Sequence, residues 1–126
     1  MADYFDNDTL MTDGSGNLNL KVNSGYGQPV ATTVYFKNNN GVTKEIDAFN
    51  SNQQRDLGPV STYRYHRIEV FSIVHDVQDP IPDKEVEDIQ LDIELSGGGA
   101  SVDTSFIKKT KGVGTLVKCT YEITIL

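Results

Sequence analysis

The clearest pattern in the chain is a strict alternation of apolar and polar residues over residues 89–95, followed by three consecutive glycines. In an extended chain the isoleucines and leucines of this segment fall on one side and the polar residues on the other. A period of two is typical of a β-strand with one buried face. The glycines at 97–99 predict a tight turn directly after the strand.

Six other segments carry the same period or are rich in residues that favour strands. They are residues 18–22, 30–36, 42–49, 63–74, 102–107 and 117–125. Asn38 to Gly41 predicts a hairpin between the second and third of these. Residues 51–60 are polar and have no period, which predicts a connection between strands.

The segment 63–74 differs from the rest because it carries apolar residues on both faces. Ile68, Val70 and Val74 share one face of a regular strand, whereas Phe71 and Ile73 fall on the other. This pattern predicts a central strand, or a strand with a bulge that exchanges its faces.

Together these segments predict an all-β fold, an antiparallel β-sandwich of about seven or eight strands that is immunoglobulin-like or C2-like in general shape. The length of 126 residues suits a single domain over residues 1–126. No strand pattern precedes residue 17, so residues 1–16 are expected to form a loosely packed N-terminal segment.

The formal net charge is −7, from 11 Lys and Arg against 18 Asp and Glu. Such a charge repels phosphate backbones, so we expect no nucleic acid as a partner. The first residues lack the basic and apolar regions of a signal peptide, and no apolar run is long enough to cross a bilayer. The expectation is a protein without a transmembrane segment, either cytoplasmic or released without a cleavable signal peptide.

Few residues suit catalysis, and no motif for a nucleophile, a phosphate or zinc is present. His66 and His75 are the only side chains that titrate near neutral pH in their ordinary state. Cys119 falls on the apolar face of the last predicted strand, so we expect it to be buried. We therefore expect no enzyme and no required cofactor. An enzyme built from scattered carboxylates is the remaining catalytic hypothesis.

An acidic, proline-bearing segment suggests a calcium site, because hard cations take carboxylate and carbonyl oxygens as ligands. Asp76, Asp79 and Asp83 are the candidate ligands. The simpler interpretation is a solvated acidic loop. If the site exists, the protein would be a calcium-dependent module that binds membrane or carbohydrate.

An aromatic and basic cluster interrupts the otherwise acidic chain and is the candidate binding site. Its members are Tyr63, Arg64, Tyr65, His66 and Arg67. Tyrosine and arginine dominate the energetics of many interfaces, and tyrosine rings also stack on sugars. In a regular strand, Tyr63, Tyr65 and Arg67 would share a face.

The function that we favour from the sequence is a non-enzymatic binding or assembly module that acts through surface loops. The expected partner is a protein or a second copy of the chain, with carbohydrate as an alternative. Self-association has a concrete route in the basic turn that Lys108, Lys109 and Lys111 predict, since this turn could meet the acidic segment of a neighbouring copy.

Overall fold

The computed structural model describes residues 4–25, 29–74, 87–110 and 115–126, which form nine strands and one short 3₁₀ helix. The strands are β1 (Tyr4–Thr12), β2 (Asn17–Ser24), β3 (Val30–Lys37), β4 (Thr43–Asn50), β5 (Gln53–Pro59), β6 (Arg67–Val74), β7 (Glu87–Gly97), β8 (Ala100–Thr110) and β9 (Thr115–Ile125). The 3₁₀ helix, Val60–Tyr63, lies between β5 and β6. The predicted all-β sandwich is confirmed.

Two sheets form the sandwich. One has five strands in the order β1-β9-β6-β3-β4, and the other has four in the order β5-β2-β7-β8. The pairs β3–β4 and β7–β8 are hairpins, and all other consecutive strands lie in different sheets. The strand pairs are antiparallel except β1 and β9, which run parallel with Tyr4 opposite Val117. Antiparallel pairing was therefore the correct prediction for all but the first strand.

The core lies between the sheets and follows the alternation seen in the sequence. Its fully buried side chains include Leu18, Leu20 and Val22 of β2, Leu91, Ile93 and Leu95 of β7, and Val117, Cys119, Tyr121 and Ile123 of β9. Burying an aliphatic side chain stabilises the fold by roughly 1.5–3 kcal/mol. The prediction that Cys119 is buried is confirmed.

The glycines after β7 form the tight turn of the β7–β8 hairpin. Gly98 and Gly99 have φ angles of 57° and 74°, a combination found in two-residue hairpin turns. A Cβ atom on Gly98 would lie 1.7 Å from the Thr12 hydroxyl, which donates a hydrogen bond to the Gly97 carbonyl over 2.8 Å. The Asp13 amide donates to the Gly98 carbonyl over 3.3 Å. The end of β1 is thus docked on this turn.

The predicted hairpin at Asn38 to Gly41 is present as well. The Asn38 side chain accepts hydrogen bonds from the amides of Asn40 and Val42, over 2.9 and 3.0 Å. Gly41 has a φ of 82°, which a residue with a side chain rarely adopts. The turn joins β3 to β4, in agreement with the segment 42–49 predicted as a strand.

Two strands were not predicted. Residues 51–60 were expected to connect strands, but Gln53–Pro59 pairs with β2 as an edge strand, with an irregular register near Gly58. Tyr4–Thr12 lies in the N-terminal segment for which no strand was predicted, yet it pairs with β9 along its whole length. Both strands escaped prediction because edge strands bury few side chains. In β1 only Leu10 and Thr12 are buried.

The packing of β1 can be tested with two truncations on the same strand. We expect Leu10→Ala to lower the free energy of unfolding by about 2–5 kcal/mol, because Leu10 is fully buried. Phe5→Ala should change it by less than about 0.5 kcal/mol, because Phe5 is 71% exposed. Urea unfolding measures both values, and equal effects would contradict this account of β1.

Candidate functional site

The predicted binding cluster at residues 63–67 does not form a regular strand. The 3₁₀ helix ends at Tyr63, and β6 begins only at Arg67. Between them the chain turns, with Tyr65 at a φ of 64°. The prediction that Tyr63, Tyr65 and Arg67 share a strand face is therefore wrong. The sequence pattern concealed this turn because tyrosine is common in strands.

Two members of the cluster pack inward over Phe36. The Tyr63 ring centroid lies 5.8 Å from that of Phe36, and the His66 ring packs edge-on to Phe36 at 4.9 Å. The Tyr63 hydroxyl donates to the Leu57 carbonyl. Burial raises the pKa of Tyr63, and the nearby charge of Asp56 acts in the same direction. These two rings close the end of the core.

The other three members are exposed. The Arg64 guanidinium lies 5.1 Å from the centre of the Tyr65 ring, which is 62% exposed. Arg67 faces a different direction, into a polar groove of about 330 Å³ that Glu122 and Thr120 also line. The predicted cluster is thus divided. Tyr63 and His66 point inward, Arg64 and Tyr65 form an exposed corner, and Arg67 lies on the outer face of a sheet.

The predicted calcium ligands Asp76, Asp79 and Asp83 lie outside the described residues, as does His75. Within the ranges that the structure covers, no group of three or more His, Cys, Asp or Glu side chains is placed to hold a metal ion. Asp13 accepts hydrogen bonds from the amide and hydroxyl of Ser15. These bonds lower the pKa of Asp13.

The first residues of the predicted basic turn belong to a strand instead. Lys108 and Lys109 belong to β8, which extends to Thr110, and Lys111 lies outside the described part of the chain.

An apolar concavity on the outer face of the five-stranded sheet is a candidate binding site. Its volume is about 440 Å³. We call it the sheet hollow. It is lined by Ala31, Thr33, Tyr35, Thr43, Glu69, Phe71, Ile73 and Leu116. Pockets of roughly 300–1,000 Å³ with apolar walls and a few polar groups are where proteins usually bind ligands.

Cross-strand register brings the walls of the sheet hollow together. Tyr35 of β3 lies opposite Glu69 of β6, and Thr33 lies opposite Phe71. The Tyr35 and Phe71 rings meet edge to face, with centroids 5.4 Å apart and an interplanar angle of 89°. This geometry is favourable for two aromatic rings. The alternation of side chains places both rings on the face of the sheet that points away from the core, because their neighbours Val34 and Val70 are buried.

An ion pair with a nearly buried carboxylate and a partly exposed ammonium lies beside these rings. Glu69 is only 7% exposed, and its carboxylate lies 2.9 Å from the Lys118 ammonium. The ammonium also lies 5.4 Å from the centre of the Phe71 ring, within the range of a cation–π interaction. The negative charge of Glu69 is therefore balanced locally, and the sheet hollow presents an apolar surface without net charge from this pair.

The sequence did contain one signal for this site. β6 lies between β9 and β3, so the prediction of a central strand is correct. Phe71 and Ile73 point outward from β6 and are apolar, although neither belongs to the hydrophobic core. Ile73 is 39% exposed. The contributions of β3, β4 and β9 depend on register, which no local pattern reveals.

Comparisons of the chain with known protein families, with curated proteins and with solved structures found no match. The described residues include no helix that is long and apolar enough to cross a membrane. The function of this chain must therefore be argued from its own geometry.

The one cysteine is not placed for nucleophilic chemistry. Burial raises the pKa of the Cys119 thiol to about 12, and the charge of Asp6 acts in the same direction, although a hydrogen bond with Tyr121 opposes them. A protonated, buried thiol is a poor nucleophile.

The ion pair can be tested by removing one partner and then both. We expect Lys118→Met to lower the free energy of unfolding by about 1–2 kcal/mol, because it leaves the Glu69 carboxylate unpaired; the partial exposure of Lys118 keeps the loss below that of a fully buried pair. The double variant Glu69→Gln with Lys118→Met should recover most of the loss. Urea unfolding measures the free energy of both single variants and of the double variant. If the loss in the double variant equalled the sum of the losses from Lys118→Met and Glu69→Gln, the pairing would be contradicted.

The reactivity of Cys119 gives a second test. At pH 8 the native protein should react with a thiol reagent at least about a hundredfold more slowly than the protein in denaturant, because the thiol is buried and protonated. The release of a chromophoric thiolate on labelling measures the rate. Equal rates in both states would show that the thiol is accessible.

Proposed function

We propose that this protein is a non-enzymatic binding module and that the sheet hollow receives an apolar side chain of a partner protein. The observation that carries the proposal is the outward pair Tyr35 and Phe71, held edge to face beside a locally neutral ion pair. Both rings are half-buried on the outer face of the sheet, and Ile73 beside them is 39% exposed. A concavity with apolar walls and a few polar groups is a common place for proteins to bind a ligand or a partner's side chain.

The chemistry of the sheet hollow favours an uncharged group as its occupant. Lys118 already balances Glu69, so a second cation would compete with the protein's own ammonium, and an anion would meet the carboxylate. An aliphatic or aromatic side chain instead gains contact with Phe71 and Ile73 without disturbing the pair. Burial of such a side chain contributes roughly 25 cal/mol for each Å² removed from water.

The surroundings indicate which residues would flank that side chain. Glu45 of β4 is exposed and lies opposite Tyr35 in the sheet. The formal charge of the whole chain is −7. A partner with basic residues beside its apolar anchor would therefore be attracted over a distance and oriented on approach.

This proposal keeps the binding function favoured from the sequence but places it on a sheet face instead of the loops. The exposed corner of Arg64 and Tyr65 is a second surface for the same kind of partner. The calcium-dependent alternative rests on Asp76, Asp79 and Asp83, which lie outside the described residues, so the structure adds no support to it.

The proposal can be tested by NMR titration with N-acetyl-leucine amide and N-acetyl-phenylalanine amide as apolar side-chain probes. At about −0.3 kcal/mol for each non-hydrogen atom, ligands of this size should bind with dissociation constants of roughly a millimolar. The amides of Thr33, Tyr35, Phe71 and Ile73 should shift together. N-acetyl-glycine amide, which lacks a side chain, should produce no such shifts.

Ile73→Lys should weaken probe binding by about tenfold or more, because it places a charge and a long stem in the sheet hollow. Val42→Lys is the matched control, since Val42 is also apolar and exposed but does not line the sheet hollow. Shifts scattered over the surface, or equal weakening by both substitutions, would contradict the proposal. A change of sedimentation mass with Ile73→Lys alone would identify a second copy of the chain as the occupant.

A further inference from the structure

The same kind of local hydrogen bond occurs on three edge strands of the sandwich. In each, an aspartate carboxylate accepts a hydrogen bond from a main-chain amide one or two residues later. The pairs are Asp8 with the Thr9 amide on β1 at 2.8 Å, Asp47 with the Ala48 amide on β4 at 2.9 Å, and Asp56 with the Gly58 amide on β5 at 2.8 Å. β1 and β4 are the two edges of the five-stranded sheet, and β5 is an edge of the other.

On β1 the capped amide points to the open side of the sheet. The Leu126 amide donates to the Thr12 carbonyl, so the main-chain groups of Thr12 face β9. In a strand, the amide and the carbonyl of one residue point to the same side, and this side alternates from each residue to the next. Thr9 lies three residues earlier and therefore directs its amide away from β9, toward the free edge where Asp8 accepts it.

On β4 the capped amide, that of Ala48, also points to the free edge of the sheet. The Ser51 amide donates to the Val30 carbonyl and so faces β3. Ala48, three residues earlier, directs its amide to the free edge, where Asp47 accepts it. Asp47 is itself held by Arg55 of β5, which donates two hydrogen bonds to its carboxylate, over 2.9 and 3.0 Å. That bidentate contact lowers the pKa of Asp47 and keeps the carboxylate in place.

On β5 the aspartate acts at an irregularity of the edge. The register shifts between Asn17 and Asn19 of β2, where β5 accommodates an additional residue. Gly58 lies in this bulge with a φ of 89°, and Asp56 accepts its amide. The other oxygen of Asp56 accepts a hydrogen bond from the Asn17 side chain over 2.9 Å. Bulges at sheet edges by themselves oppose pairing with a further strand.

We infer that Asp8 and Asp47 cap the two edges of the five-stranded sheet against strand addition at these positions, and that the bulge held by Asp56 opposes strand addition to β5. An added strand must present carbonyl oxygens to the free amides of an edge. The Thr9 and Ala48 amides already have an acceptor, and the exposed carboxylate of Asp8 would also repel the incoming carbonyl oxygen. Charged groups at edges are a common protection of β-proteins against association. This inference is independent of the sheet hollow.

Asp8 offers the sharpest test because it is exposed, so its substitution should not disturb folding. Asp8→Ala removes both the acceptor and the charge. Asp8→Asn removes the charge and keeps an acceptor oxygen for the Thr9 amide. Asp6→Ala is the matched control, because Asp6 is exposed on the same strand and, among the described contacts, accepts no main-chain amide. Urea unfolding verifies that all four proteins are folded.

Sedimentation velocity at several hundred micromolar protein should show a higher mass for Asp8→Ala alone, with self-association strengthened about tenfold over the other three proteins. Hydrogen exchange of the Thr9 amide, corrected for the intrinsic rate of each sequence, should accelerate about fivefold to tenfold in Asp8→Ala and stay unchanged in Asp6→Ala. An unchanged mass for Asp8→Ala overturns the inference. An equal rise in Asp6→Ala also overturns it, because charge alone would then explain the effect.

Discussion

Burial of every second side chain between two sheets is the constraint on which the rest of this structure depends. Once Leu20 of β2, Ile93 of β7 and Tyr121 of β9 face the core, their neighbours along each strand must face outward. The outer faces are therefore free to carry polar residues on most strands. Where they carry aromatic residues instead, as at Phe71, the burial constraint gives no reason for the choice, and the outer face itself needs an explanation.

The same constraint decides which elements could be predicted from the sequence. The segment 89–95 lies within β7 because its period of two is uninterrupted and its apolar side chains at Leu91, Ile93 and Leu95 are fully buried. β5 buries none of its side chains fully, and its glycine, proline and amide residues are typical of loops. Its pairing with β2 comes from main-chain hydrogen bonds, which depend little on side-chain identity. A pattern of side chains therefore could not reveal it.

The candidate sites show the same division between local and long-range information. Tyr63 to Arg67 was singled out for its composition, but a turn at Tyr65 sends its side chains in three directions. The sheet hollow combines residues from four strands, and its ion pair joins Glu69 to a lysine 49 positions later. Only the outward position of Phe71 and Ile73 on β6 was visible beforehand. Site residues that are distant in sequence become neighbours through strand register, which depends on the whole sheet.

The parallel contact of β1 with β9 also affects how the chain folds. Tyr4 lies opposite Val117, and the amide of Leu126 bonds to Thr12. Residues separated by more than a hundred positions must therefore meet before the five-stranded sheet is complete. Closing a loop of this length lowers the conformational entropy of the chain before the contact can stabilise the fold. Folds rich in such distant pairings therefore fold in roughly milliseconds to seconds. During synthesis, β1 leaves the ribosome long before its partner strand exists, so its hydrogen-bonding edges are exposed on both sides until β9 follows.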